Sequence, residues 1–282
     1  MYKLTVENDR NERLTLTQNK NYVVRDIDGL TPPKVVINSA VVALNDGAIF
    51  NSARVETRNI ILLISPRFPV EANRTALYKY FPLKKKVRLY YETAEKKIFI
   101  DGYVDSVDGS LFELTQTLTI SLTCLNPYFK DQTSSVFDMS TTIDLFEFPF
   151  SISEAGIEFS QNTKTATVNV PNYGSVDVGM VIEMSANGNV SNPKVYNSDT
   201  QEMFGLNINM VAGDKITINT NKNEKSVTLL REGEETNIIN QVMSSSVWLQ
   251  LSVGDNVFIY ECDTGEDLLE VRFEFNTSYV GV

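Results

Sequence analysis

The sequence predicts a mainly β protein of two domains. The first is an N-terminal β-sandwich or barrel-like domain with one α-helix and a β-hairpin, and the second is a C-terminal β-sandwich of jelly-roll type. Three observations predict this. Apolar residues recur with period two along most of the chain, helical spacing is convincing only at residues 70–81, and charge divides sharply between the two halves. Residues 1–130 hold 18 Lys and Arg against 14 Asp and Glu, a net +4. Residues 131–282 hold the remaining 7 against 22, a net −15, and together they give the −11 of the whole chain. Such asymmetry points to two modules with different neighbours.

The elements follow in order. Leu4, Val6, Leu14 and Leu16 alternate across two short strands split by the polar turn Asn8-Asp9-Arg10-Asn11. Tyr22-Val23-Val24 leads to the turn pair Asp28-Gly29, and a strand over Lys34–Asn38 follows Pro32-Pro33. Asn45-Asp46-Gly47 carries tight-turn chemistry, because Gly and Asn supply positive-φ positions. Between Asn45 and Ser52 only Ile49 and Phe50 are large apolar residues, so this stretch reads as a projecting loop or arm. Asn59–Ile64 is a strand, and the helix runs from Val70 to Phe81. Pro69 precedes that helix, Glu71 suits its first turn and Pro82 stops it. The apolar stripe Val70, Leu77, Tyr80 and Phe81, with Asn73, predicts a helix buried across a sheet.

Strands over Val87–Glu92 and Ile98–Val104 and a long alternating segment from Leu111 to Leu125 then form a meander, with turns at residues 94–97 and 108–110. The expected domains are 1–130 and 146–282, joined by a polar linker over 131–145, with the chain restarting at Phe146-Glu147-Phe148-Pro149-Phe150. Beyond it, short β patterns include Thr165–Val170, Val178–Met184, Lys215–Asn219, Ser226–Leu230, Trp248–Leu251, Asn256–Tyr260 and Leu269–Phe275. Turn signals such as Val253-Gly254-Asp255 separate them.

Composition narrows the chemistry. The chain has no histidine, which removes Ser-His-Asp and Cys-His machinery and every His-ligated metal site. Its two cysteines, Cys124 and Cys262, stand in different halves, and Cys124 falls in an alternating strand as a small core residue. No Gly-rich phosphate loop is present. The carboxylates Glu234-Glu235 and Asp263 with Glu266-Asp267 lie in polar turns that offer no apolar pocket to raise an acid's pKa. Asp26-Ile27-Asp28 and Asp105–Asp108 lack the closing bidentate Glu of a calcium loop. No catalytic residue, metal site or cofactor is therefore expected, and the protein is read as a non-enzyme. The acidic half disfavours sequence-specific nucleic-acid binding. No apolar run approaches membrane-spanning length and no secretory signal opens the chain, so membrane insertion is not expected.

Two further features invite partners. Lys84-Lys85-Lys86 reads as a solvated turn past the helix or as a contact for DNA in a channel or for an acidic partner. Trp248, in phase with Ser246 and Gln250, is either packed between sheets or a glycan-stacking platform.

The order strand, single helix, lysine run, meander, closed by Leu125-Asn126-Pro127-Tyr128-Phe129, resembles the N-terminal domain of siphophage distal tail proteins. Asp28-Gly29-Leu30 and Asp101-Gly102-Tyr103-Val104 add to the likeness. The half beginning near Phe146, through Gly254–Tyr260 and Val271–Phe275, is similar to the galectin-like domain this family often carries. The resemblance implies a homohexameric ring at the virion tail tip, the baseplate, assembled in the cytoplasm of a bacterial host. The ring would join the tail tube protein to the tail-associated hub protein, with outward domains able to hold a receptor-binding protein. Within that reading, Asn45, Asp46, Gly47, Ile49 and Phe50, with Lys84, Lys85 and Lys86, are the candidate subunit or partner interface. The competing reading is a carbohydrate-binding adhesion module that recognises cell-wall glycan through Trp248. A tail-associated lysin is a third class, and it would require wall hydrolysis.

Overall fold

The computed structural model describes residues 2–41, 46–113, 115–144, 160–164 and 167–282. The restart expected at Phe146–Phe150 lies outside them. The chain divides into two compact units, Met1–Gln132 with Ser278–Val282, and Thr133–Thr277. In chain order the second unit is thus inserted ahead of the last segment of the first.

Unit 1 opens with β1 (Lys3–Glu7), β2 (Arg13–Thr15), β3 (Tyr22–Asp28), β4 (Val35–Val41), β5 (Ala48–Val55) and β6 (Arg58–Pro66). After α1 (Val70–Tyr80) come β7 (Lys86–Glu92), β8 (Lys97–Gly109), β9 (Leu118–Cys124) and β10 (Phe129–Asp131). One antiparallel sheet runs β2-β1-β7-β8-β9-β6-β3. Its alternation is strict where it is central: Ile60, Leu62 and Ile64 on β6 and Leu118, Ile120, Leu122 and Cys124 on β9 all face the core. β8 pairs with β7 along its first half and with β9 along its second, where the register shifts between Val104 and Ser106.

The helix matches its expected span to within one residue. It buries Asn73 and Leu77, with Phe81 buried just beyond its end. The rest of its surface is at least partly open, so it covers the sheet with one narrow stripe. The meander segment expected from Leu111 is a strand only from Leu118. Ser110 N donates to Thr117 O at 3.0 Å, closing a loop that leaves Leu111 and Phe112 exposed.

Unit 2 contains β11 (Ser135–Asp138), β12 (Ser140–Asp144), β13 (Ser160–Lys164), β14 (Thr167–Asn169), β15 (Val181–Ala186), β16 (Val190–Ser191) and β17 (Lys194–Asn197). It continues with β18 (Glu202–Gly205), β19 (Asn209–Met210), β20 (Lys215–Asn219), β21 (Ser226–Arg231), β22 (Glu234–Asn237), β23 (Val257–Glu261) and β24 (Leu269–Phe275). A six-stranded sheet, β11-β24-β15-β20-β21-β22, and a four-stranded one, β14-β23-β17-β18, contribute to one core. Phe258 of the smaller sheet stacks on Phe273 of the larger with centroids 4.8 Å apart. This is the sandwich the short alternating strands predict.

Two expectations change here. Residues 131–145 are not simply a linker, because Ser135–Asp138 pairs along β24 and Arg272 donates to Asp138 at 2.6 Å. Among the described residues Trp248–Leu251 joins no ladder beyond a bridge from Leu251 to Val178. Instead Ser246 Oγ donates to Gly205 O and Gln250 Nε2 donates to Thr220 O, each at 3.0 Å. The chain then returns to unit 1 as β25 (Ser278–Tyr279), which pairs with β10, while β10 also pairs with β8.

Candidate functional site

The stretch expected to be an arm is a two-stranded antiparallel ribbon. β4 and β5 pair from Val35↔Val55 to Val41↔Ala48, with a bulge after Asn38, and neither pairs with any other strand among the described residues. Ile49 and Phe50 therefore sit in a strand and not in a loop, and they are 59% and 64% exposed. Val35, Ile37 and Val41 across the ribbon are also exposed. Sequence reasoning missed that the arm is a strand pair because ribbon residues open on both faces need no apolar–polar alternation. Asp46 and Gly47 form the exposed bend that enters β5, and Gly47 takes φ 91°, the left-handed value that suits glycine. Asn45 lies outside the described residues.

The ribbon's two bases are held together. Glu56 N donates to Lys34 O at 3.0 Å. Beneath them lies Arg58, 3% exposed, which starts β6. Its guanidinium donates to Pro127 O at 2.7 Å, Thr31 O at 2.6 Å, Val280 O at 2.5 Å and the carbonyl of Gly29, and it rests over the Phe129 ring at 4.7 Å. Burial pushes its pKa below the ordinary arginine value. Main-chain dipoles from three separate segments take the place of a carboxylate. Gly29 (φ 85°) is required here, since a Cβ would sit 2.1 Å from Asn59 O.

The lysine run splits. Lys85 lies 3.9 Å from Asp9, and Lys86 pairs with Asp101 at 2.9 Å. Lys84, with φ 62°, has no ion-pair partner among the described residues. Two of the three charges are thus spent inside unit 1. Burial raises the Asp101 pKa, but hydrogen bonds from Arg88 at 2.6 Å and from Lys86 outweigh it, so the carboxyl ends below its usual value. A depressed folded pKa gives stability that is present above the unfolded value of about 3.9 and lost as pH falls through the folded one. Acid titration of unit 1 should therefore show destabilisation setting in below about pH 4, and Asp101→Asn should flatten that limb. An unchanged acid limb in the variant would contradict the assignment.

Trp248 is half-buried. Phe204 packs against its ring at a 5.1 Å centroid distance, and the Lys225 ammonium stands 5.2 Å from the ring centre. Asp263, once a candidate acid, is bound by Asn192 at 2.8 Å and Lys194 at 3.0 Å, which hold its carboxyl below the ordinary range. A catalytic acid needs the opposite shift. Among the described residues no group of three His, Cys, Asp or Glu is placed to hold a metal ion. A pocket of ≈ 600 Å³ beside β3 is lined by Leu16, Tyr22 and Val24, with Lys20 and Arg67 as its charged groups, so it holds no acid–base pair. No helix among the described residues is long and apolar enough to cross a membrane.

Residues 173–279 match the family described as siphovirus-type tail component, C-terminal domain. That match spans most of unit 2. The structure extends the likeness over nearly the whole chain. The crystal structure of phage SPP1 Dit, described as a paradigm of the hub adsorption apparatus in phages infecting Gram-positive bacteria, superimposes with a TM-score of 0.69 at 11% identity. The match covers 97% of this chain and 98% of that one. A chain of the phage P2 baseplate in its activated conformation with Ca gives 0.53 at 10% identity over 97% and 98%. The same baseplate with Sr gives 0.53 at 10% over 98% of both chains. No curated protein matches. The resemblance to distal tail proteins drawn from residue order is borne out, and the fold is shared along both units.

Proposed function

We propose that this protein is a structural element of the tail tip of a long-tailed phage. In this reading its copies close into a hexameric ring that joins the tail tube to the hub and receptor-binding apparatus. The observation that carries it is a tail-component domain on a chain whose fold is that of a hub protein from end to end. The exposed β4–β5 ribbon supports self-assembly, because an isolated two-stranded ribbon is marginal in water and gains stability from a neighbour. Contact between the ribbon of one copy and a different surface of the next is heterologous, the kind that closes rings. The role is structural, with the tail tube protein, the hub protein and a receptor-binding protein as partners. Assembly would take place in the host cytoplasm before incorporation into the virion.

Mass measurement across concentrations tests the ring. Six copies of the 31.7 kDa chain give about 190 kDa and six-fold particles by electron microscopy. A chain that stays at 31.7 kDa at every concentration, alone and with the hub protein, would sink it. Binding of residue-248-dependent character on a glycan array, lost in Trp248→Ala, would favour the adhesion reading instead.

A further inference from the structure

Residues 278–282 occupy a cleft of unit 1 built from three places in the sequence. Phe129 and Lys130 of β10 pair with Tyr279 and Ser278. The turn after β3 contributes Leu30 O, which accepts from Val282 N at 3.2 Å. Arg58 supplies the guanidinium that donates to Val280 O at 2.5 Å. Tyr279 packs on the unit 1 core with the Lys96 ammonium 5.1 Å from its ring. The cleft is tight at Gly281, where a Cβ would meet Leu30 O at 3.2 Å and Pro32 at 3.3 Å and its neighbours would have to give way.

The same groups form the root of the ribbon. Leu30, Thr31 and Pro32 run directly into β4, and Glu56 and Thr57 link β5 to Arg58. One guanidinium therefore holds Gly29 O and Thr31 O at the entry to the ribbon and Val280 O in the cleft, from a position at the ribbon's exit.

We propose that unit 1 carries an extended-peptide site whose ligand is the segment Tyr279-Val280-Gly281-Val282, and that filling it fixes the root of the β4–β5 ribbon. The chemistry of recognition is main-chain pairing to β10, one carbonyl on Arg58, an aromatic at the first position and glycine at the third. An empty site leaves one donor of a buried guanidinium without its acceptor and frees one edge of β10, so the root loosens. The consequence for assembly rests on the ring reading above, whereas the site itself does not.

The test is amide hydrogen exchange on the chain with residues 278–282 deleted. Amides at 30–37 and 53–58 should exchange about tenfold faster or more, the size set by a lost charge-assisted hydrogen bond, while β15, β20 and β24 keep their protection. A synthetic peptide of residues 275–282 added at millimolar concentration should restore protection at the root. Unchanged exchange at the root, or no restoration by the peptide, would overturn the proposal. Where the deleted chain does not fold, full-length Gly281→Val decides: faster exchange at the root supports the site and unchanged exchange removes it. Oligomer mass is read separately. A loosened root in a chain that never forms rings leaves the site standing and removes only the assembly reading.

Discussion

Arg58→Met is expected to lower the stability of unit 1 by about 2–4 kcal/mol, the cost of leaving buried carbonyl acceptors without their donor. Methionine keeps the apolar contact with Phe129, so volume loss is a minor part of the effect. What is lost is the donor to four carbonyls at Gly29, Thr31, Pro127 and Val280 in a place water does not reach. Lysine should recover little, because one ammonium cannot reproduce a planar fork aimed at several acceptors. The molecule carries its own pair of reporters. Cys124 belongs to the unit 1 core, with a thiol pushed up to about 12 by burial, so thiol labelling of a Cys262→Ser background follows unit 1 alone. Trp248, the single tryptophan, belongs to unit 2 and follows that unit by fluorescence. In urea, the labelling midpoint should fall in Arg58→Met while the fluorescence midpoint stays in place. Equal movement of both midpoints, or of neither, would show that Arg58 does not act within unit 1.

The sequence carried most of this fold wherever a strand has one buried face. Lys215–Asn219 and Leu269–Phe275 were readable to the residue because their alternate side chains enter the core, and α1 was readable from proline brackets and a stripe through Leu77. The signal failed wherever burial did not alternate. β5 has no core side, so Ile49 and Phe50 looked like a loop, and of β4 only the stretch to Asn38 was readable. Ser135–Asp138 is polar enough to read as linker and is a strand because β24 offers it an edge. The return of Ser278–Tyr279 to β10 is a pairing between distant segments only two residues long, which no local pattern encodes.

The candidate site was legible in part for a related reason. Asn-Pro-Tyr-Phe stood out as a motif, yet its meaning lies in Pro127 O and the Phe129 ring, both of which meet Arg58. A charged residue opening an otherwise apolar strand was the available hint of a buried cation. The lysine run looked uniform in sequence and is not, since Asp9 reaches it from the turn between β1 and β2 and Asp101 from β8. Exposed aromatic tips at Phe68 and Phe112 carry no sequence signature of exposure at all.

If the chain forms the proposed ring, the double variant Ile49→Asp with Phe50→Asp is expected to abolish it while leaving the stability of both units within about 0.5 kcal/mol of the parent, as surface changes do. Consecutive residues of a strand point to opposite faces, so the pair tests both faces of the ribbon at once. Covering Ile and Phe at an interface yields about 1.5–3 kcal/mol each, and two buried carboxylates reverse that sign. In a closed ring every interface is the same interface, so the loss is multiplied around the circle and no partial ring is favoured. The expected reading is a particle at 31.7 kDa in place of one near 190 kDa, six times the chain mass. Cross-strand pairing of Ile49 with Ala40 and Phe50 with Ser39 involves small partners, which is why the ribbon itself should survive the change. Rings that persist in the double variant would place the assembly contact elsewhere. The exposed Leu83 and Lys84 turn would then be the next surface to reverse in charge, because Lys84 is the lysine of the run that the fold leaves unspent.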